Sequence, residues 1–176
     1  MALAILQNII VMTQSILFRG YLFLFCLAGV LGCGFYEDEY GNRKLMPAPP
    51  PDKCPYELAG KPYAIKSGDE LLLVNGDTAT CCRLQGICAP RIDEPWFLES
   101  GTYLKSLVEG RQVSGVVVRH DSQMRAMFRG YVGNTDLNLE MVLNGFARYD
   151  GTEFRGCEAF LKAETQARDA GRGMWQ

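Results

Sequence analysis

Arg83-Leu-Gln-Gly-Ile-Cys88-Ala-Pro-Arg91 places two guanidinium groups and a thiol within nine residues. Arginine forks suit phosphate and carboxylate, which they can bind through two hydrogen bonds at once. A thiol among positive charges is expected to have a lowered pKa and to be reactive. The plainer fates of Cys88 are a disulfide or a small buried apolar filling. The chain has seven cysteines and one histidine, His120. No C-x-x-C occurs, and so few histidines do not make a zinc-site pattern. His120 has no nucleophile close to it in the sequence and reads as a strand-end residue beside Asp121.

The elements that must hold this loop are legible from patterning. Pro62 to Lys66 reads as a strand. Leu71 to Val74, Asn75-Gly76 and Thr78 to Leu84 read as a hairpin, because Asn-Gly suits the turn that hairpins favour. Trp96 to Val108 carries a helical apolar face of Phe97, Leu104, Leu107 and Val108, which Gly110 stops. Val113 to Arg119 and Arg125 to Val132 read as strands. A helix then places Leu139, Val142, Leu143, Phe146 and Ala147 on one face, with Asp136 or Asn138 as its cap. Cys157 to Ala170 is the last helix, with Phe160, Leu161 and Ala167 inward. Adjacent Cys81 and Cys82 should point to opposite faces of their strand. Three strands, a helix, two strands and two helices is the order of an α+β chain built on a five-stranded OB-type barrel.

The chain has 176 residues, room for one ordinary domain, and 18 Lys+Arg against 20 Asp+Glu. A non-specific polyanion binder is usually clearly basic, so nucleic acid is not the favoured partner. The apolar runs Ala2 to Met12 and Tyr21 to Gly32 are each shorter than the roughly 18–20 residues of a membrane span. Read from Met12, the second run followed by Cys33 resembles a lipoprotein signal, with Leu31 where a small residue is usual. A plain secretory signal and an uncleaved anchor are the other readings. Five cysteines beyond that region also suit an exported protein. Residues 34–57 read as a polar and Pro-rich tether, and 58–176 as the globular domain.

Four segments carry a family resemblance, over about Pro62 to Trp175. They are the Arg83–Arg91 loop, Asp121-Ser-Gln-Met-Arg125, Asp136 to Ala147, and Ala163-Glu-Thr-Gln-Ala to Gly173-Met-Trp175. In this order they resemble the thermonuclease, or staphylococcal-nuclease-like, family. Its upstream acidic turn matches either Asn75-Gly-Asp-Thr78 or Ser67-Gly-Asp-Glu70; only the second leaves room for two strands before Arg83.

The resemblance implies a barrel, phosphodiester hydrolysis with Ca²⁺, a glutamate near the attacking water and two arginines on the phosphate. Asp69 and Cys88 fall at metal-ligand positions, and Arg91 falls at the glutamate. Hard cations need several oxygen ligands, and an arginine stays protonated and cannot act as a base. Glu70, Asp93 and Glu94 do not lie at the matched positions. Arg83, Arg91 and Arg125 are left as anion-binding candidates, unless Arg83 and Arg125 pair with Asp69, Glu70 or Asp121.

The expectation is an exported, membrane-tethered module of the cell envelope, facing the periplasm or exterior, with protein partners, no catalysis and no bound cofactor. A working nuclease with a reorganised site and a non-cleaving anion binder are the alternatives.

Overall fold

The computed structural model describes residues 35–37, 43–47 and 54–176. The expected signal region with Cys33 and most of the expected tether lie outside the described residues. Two units divide the chain at Leu45/Met46. β1 (Phe35–Glu37) pairs antiparallel with the first three residues of β2 (Arg43–Pro47), Phe35 opposite Leu45.

The second unit is built on five strands: β3 (Tyr56–Ile65), β4 (Glu70–Asn75), β5 (Thr78–Leu84), β7 (Val113–His120) and β8 (Ala126–Val132). Neighbours β4–β3–β7–β8 run antiparallel, and a parallel β5–β8 pair closes the barrel. The expected OB-type barrel with three helices is therefore present. Alternation along β4 and β5 sends Leu71, Leu73, Cys82 and Leu84 inward to meet Val113, Val117, Ala126 and Phe128. Cys82 is buried while its neighbour Cys81 faces outward, as the period of a strand requires.

β3 begins at Tyr56, ahead of the strand expected from Pro62. Its first half pairs with β7 and its second half with β4, and the change of partner falls at Gly60 to Pro62. Proline and glycine usually punctuate a strand; here they mark a crossing. A Cβ on Gly60 would lie 2.8 Å from the Val74 carbonyl oxygen, so the crossing has no room for a side chain.

Helix α1 (Phe97–Val108) buries Ser100, Leu104 and Val108. Trp96 precedes it as the N-cap, at φ 72°. Helix α2 (Leu137–Leu143) is shorter than its sequence pattern suggests. Gly145, at φ 72°, turns the chain just beyond its end, so Phe146 and Ala147 pack from the following segment rather than from the helix. Asp136 is the cap, accepting the Leu139 N–H at 3.0 Å, while Asn138 lies inside and is buried. Helix α3 (Glu158–Asp169) presents Phe160, Ala163 and Ala167 to the core. Leu161 is 49% exposed, which corrects its expected inward position: the 3.6-residue period places it beside the Phe160 stripe, not on it. Short strands β6 (Ile87–Cys88), β9 (Thr135–Asp136) and β10 (Arg148–Tyr149) and a 3-10 turn at Gly173–Trp175 complete the unit.

Candidate functional site

The loop carrying Cys88 leaves the end of β5 and is fixed from below by a buried amide. Asn138 accepts the Gly130 N–H at 3.1 Å and donates to the carbonyls of Gln85 and Phe128 at 2.8 and 3.0 Å. Gln85 N–H in turn donates to the Phe128 carbonyl at 2.9 Å. Beyond Gln85, β6 pairs with β10, which sets Cys88 opposite Arg148.

The hairpin sets Glu70 opposite Arg83. Upstream, the Ser67–Glu70 turn closes on itself. Lys66 N–H donates to the Glu70 carbonyl at 2.9 Å, and the Asp69 carbonyl accepts the Leu84 N–H at 2.7 Å. Gly68 lies against α1: a Cβ there would collide with Ser100 Oγ and lie 3.0 Å from the Ala89 Cβ. The turn, the helix and the loop thus meet at one glycine.

Buried Asp69 accepts from Ser67 Oγ at 2.7 Å and from Arg83 Nε at 3.3 Å. Arg125 bridges two carboxylates, donating to Glu70 at 2.9 Å and to Asp121 at 2.7 Å. Glu70 also holds Lys66 at 3.1 Å and the Cys81 thiol at 3.2 Å. Burial is the strongest single influence on Glu70 and opposes its charge, but Cys81, Lys66 and Arg125 together keep its pKa below the ordinary value. Asp121 is likewise lowered: burial opposes its charge, and hydrogen bonds from Arg125 and the Gln123 backbone outweigh that. Both family-matched arginines are therefore paired with carboxylates. Arg91 is exposed and makes no ion pair with the described residues; its backbone N–H donates to Glu94 at 2.8 Å.

Cys88 is a free, half-buried thiol. Its pKa is raised, first by burial and then by Asp69, with Arg83 and Arg91 acting weakly in the other direction. An activated thiol was the sharper expectation for Cys88; desolvation and a facing carboxylate reverse it. A disulfide is absent too, since all five cysteines among the described residues are free.

Sequence patterning singled out neither Asn138 as a strut nor Arg148 and Asp150 as neighbours of the loop. Asp150-Gly-Thr152 is a visible turn signal. Asp150 accepts from the Thr152 N–H and hydroxyl at 2.9 and 2.6 Å, and its backbone N–H donates to the Gly86 carbonyl at 2.8 Å. Among the described residues no group of three or more His, Cys, Asp or Glu is arranged to hold a metal ion. Nor is any of their helices long and apolar enough to cross a membrane.

The family model for staphylococcal nuclease homologues matches residues 81–176, from β5 through the last helix. The chain belongs to this family. Similar proteins include the probable staphylococcal-like nuclease CAN2 of Oryza sativa subsp. japonica, 34% identical over 93 residues, which are 53% of this chain and 25% of that protein. The probable endonuclease LCL3 of Pyricularia oryzae is 33% identical over 108 residues, covering 53% of this chain and 42% of the relative. The probable endonuclease lcl3 of Aspergillus flavus is 29% identical over 123 residues, covering 57% and 44%. The chain thus spans between a quarter and less than half of the length of these curated relatives. Asp69 lies upstream of the matched span, and Arg83, Cys88, Arg91 and Arg125 lie inside it.

Proposed function

We propose that this chain is a staphylococcal-nuclease-like module that does not hydrolyse phosphodiesters and serves as a binding or structural part. We further propose that it is exported and held at a membrane by its N-terminal segment, within a cell-envelope assembly. One observation carries the loss of catalysis. Asp69, matched to a family metal ligand, is engaged by Arg83 and Ser67, while the two neighbouring family positions hold Cys88 and Arg91. A thiol raised by burial and a guanidinium do not make the oxygen set that a hard cation requires. The residues present therefore do not fit Ca²⁺. Arg91 also removes the base, because it stays protonated at any working pH. The proposed export and tethering rest on the apolar N-terminal runs and the Cys33 pattern alone.

The test uses the full chain with labelled single-stranded DNA and RNA and with Ca²⁺, Mg²⁺ or Mn²⁺ in turn. No cleavage above the Arg83→Ala background is expected. Cleavage that Asp69→Ala or Arg83→Ala abolishes would overturn the reading. Ser67 stands where the resemblance implies the first acid of the upstream turn, so Ser67→Asp, Cys88→Asp and Arg91→Glu together should create activity if only the chemistry has been lost.

Anion binding without cleavage has one observation in its favour. Arg91 and Arg148 line a cavity of about 360 Å³ together with one carboxylate, Glu94, and with Cys88, Trp96 and Met174. Inorganic phosphate should then protect the wild type thermally at low salt, and Arg91→Ala with Arg148→Ala should abolish the protection.

A further inference from the structure

The chain's single histidine is joined in space by a cysteine far from it in sequence. Cys54 Sγ lies 3.7 Å from His120 Nδ1, and the Tyr56 hydroxyl lies 3.4 Å from Nε2. The Tyr56 and His120 rings stack at 6.0 Å with 19° between their planes. The arrangement belongs to the barrel. Tyr56 opens β3 and His120 ends β7, and the two strands pair from Tyr56↔Val117 onward. Nucleophile, base and a group that orients the base are the three parts of an activated thiol.

Among the described cysteines Cys54 is the exposed one. Burial raises the pKa of Cys81 and Cys88, and that of Cys82 far above the thiol range. Those three thiols are held in their inert form. Burial, with Cys54 and Cys82 nearby, also raises the Tyr56 pKa, so its hydroxyl stays neutral.

We propose that Cys54 is a nucleophilic thiol that exchanges with an external disulfide, with His120 as its base and Tyr56 as the positioning residue. The tautomer required has Nε2–H donating to the Tyr56 oxygen, which leaves the Nδ1 lone pair facing the thiol. In the step, Nδ1 takes the S–H proton and the Cys54 sulfur attacks one sulfur of R–S–S–R. The new S–S bond forms as the old one breaks. R–S⁻ leaves with the electron pair and recovers the proton from the imidazolium. The products are a mixed disulfide at Cys54 and one free thiol, with no other oxidant required. The site uses none of the residues of the Asp69–Arg83 cluster and stands whether or not that cluster is catalytic.

The full chain is incubated with glutathione disulfide, quenched with an alkylating agent and mapped by mass spectrometry, with Cys157 as the internal reference. Cys54 is expected to form the mixed disulfide about tenfold faster than any other described cysteine. His120→Gln, which keeps a polar side chain but supplies no base, should lower the Cys54/Cys157 rate ratio about tenfold. Tyr56→Phe should lower it about threefold. The melting temperature of each variant is recorded, and the ratio is read only below the onset of unfolding. Another described cysteine reacting first, or an unchanged ratio in His120→Gln, would overturn the proposal. If His120→Gln does not fold, the comparison among cysteines in the wild type and Tyr56→Phe decides it by the same criteria.

Discussion

Replacing Asn138 by alanine removes the strut beneath the Cys88 loop, and the cost follows from its hydrogen bonds. Three are lost: one accepted from Gly130 N–H, and two donated to the Gln85 and Phe128 carbonyls. The Phe128 carbonyl keeps a partner, because Gln85 N–H also donates to it. Two backbone groups, Gly130 N–H and the Gln85 carbonyl, are left without their partner beside a fully buried Phe128. Each buried orphan costs about 1–3 kcal/mol, so the two together are expected to destabilise by about 2–6 kcal/mol. At about 2–4 °C per kcal/mol for a chain of this size, that is a fall in melting temperature of about 4–24 °C. The assay is calorimetry of the full chain beside Asn138→Ala and Asn138→Asp. The aspartate keeps one acceptor oxygen but turns a charged oxygen toward two carbonyls, and should be at least as damaging. A fall of less than about 4 °C for alanine, or a wild-type melting temperature for aspartate, would refute the strut.

Other expectations follow from the same geometry. Arg125→Ala should cost about 1–2 kcal/mol by denaturant titration, since it strips Glu70 and Asp121 of their shared cation. The carboxyls of Glu70 and Asp121 are lowered in the fold, so their stabilisation is complete above the unfolded carboxyl pKa of about 4 and is lost as pH falls through the lower folded values. Melting temperature should therefore drop steeply below about pH 4, and Arg125→Ala should flatten that drop. Gly68→Ala should destabilise by about 1–3 kcal/mol through overpacking. In a Ser100→Ala background, where the colliding hydroxyl is gone, the same change should cost measurably less, as a double-mutant cycle would read.

The hairpin and the order of elements were legible because they rest on local chemistry, whereas the barrel's closure and the signature loop were legible through the family resemblance. β4 and β5 alternate at period two, but the turn expected at Asn75-Gly76 falls one residue later, at Gly76-Asp77, because Asn75 still pairs with Thr78 and Gly76 alone takes the positive φ, 58°. The β3 start was not legible, because Gly60 and Pro62 look like a strand boundary and the reason they are tolerated is a change of partner strand. The end of α2 was overrun because Phe146 continues the apolar pattern after Gly145 has already turned the backbone. Leu161 shows the same limit: a leucine one position off the buried stripe is as apolar as one on it.

By itself the sequence determined which side chains are available at the site: Asp69 with Arg83 and Arg125, and Cys88 and Arg91 where the family resemblance implies acids. Which of them pair, and how the Cys88 thiol is held, were decided only by the tertiary structure. The β4–β5 hairpin brings Asp69 to Arg83, the β5–β8 closure brings Glu70 to Arg125, and burial lifts the Cys88 thiol that a list of charges alone would have lowered. The same closure of β3 against β7 brings Cys54 to His120, 66 residues apart in sequence. Sequence carries charge and period. Distance and desolvation, which set a pKa and make a base useful, arise only once the barrel closes.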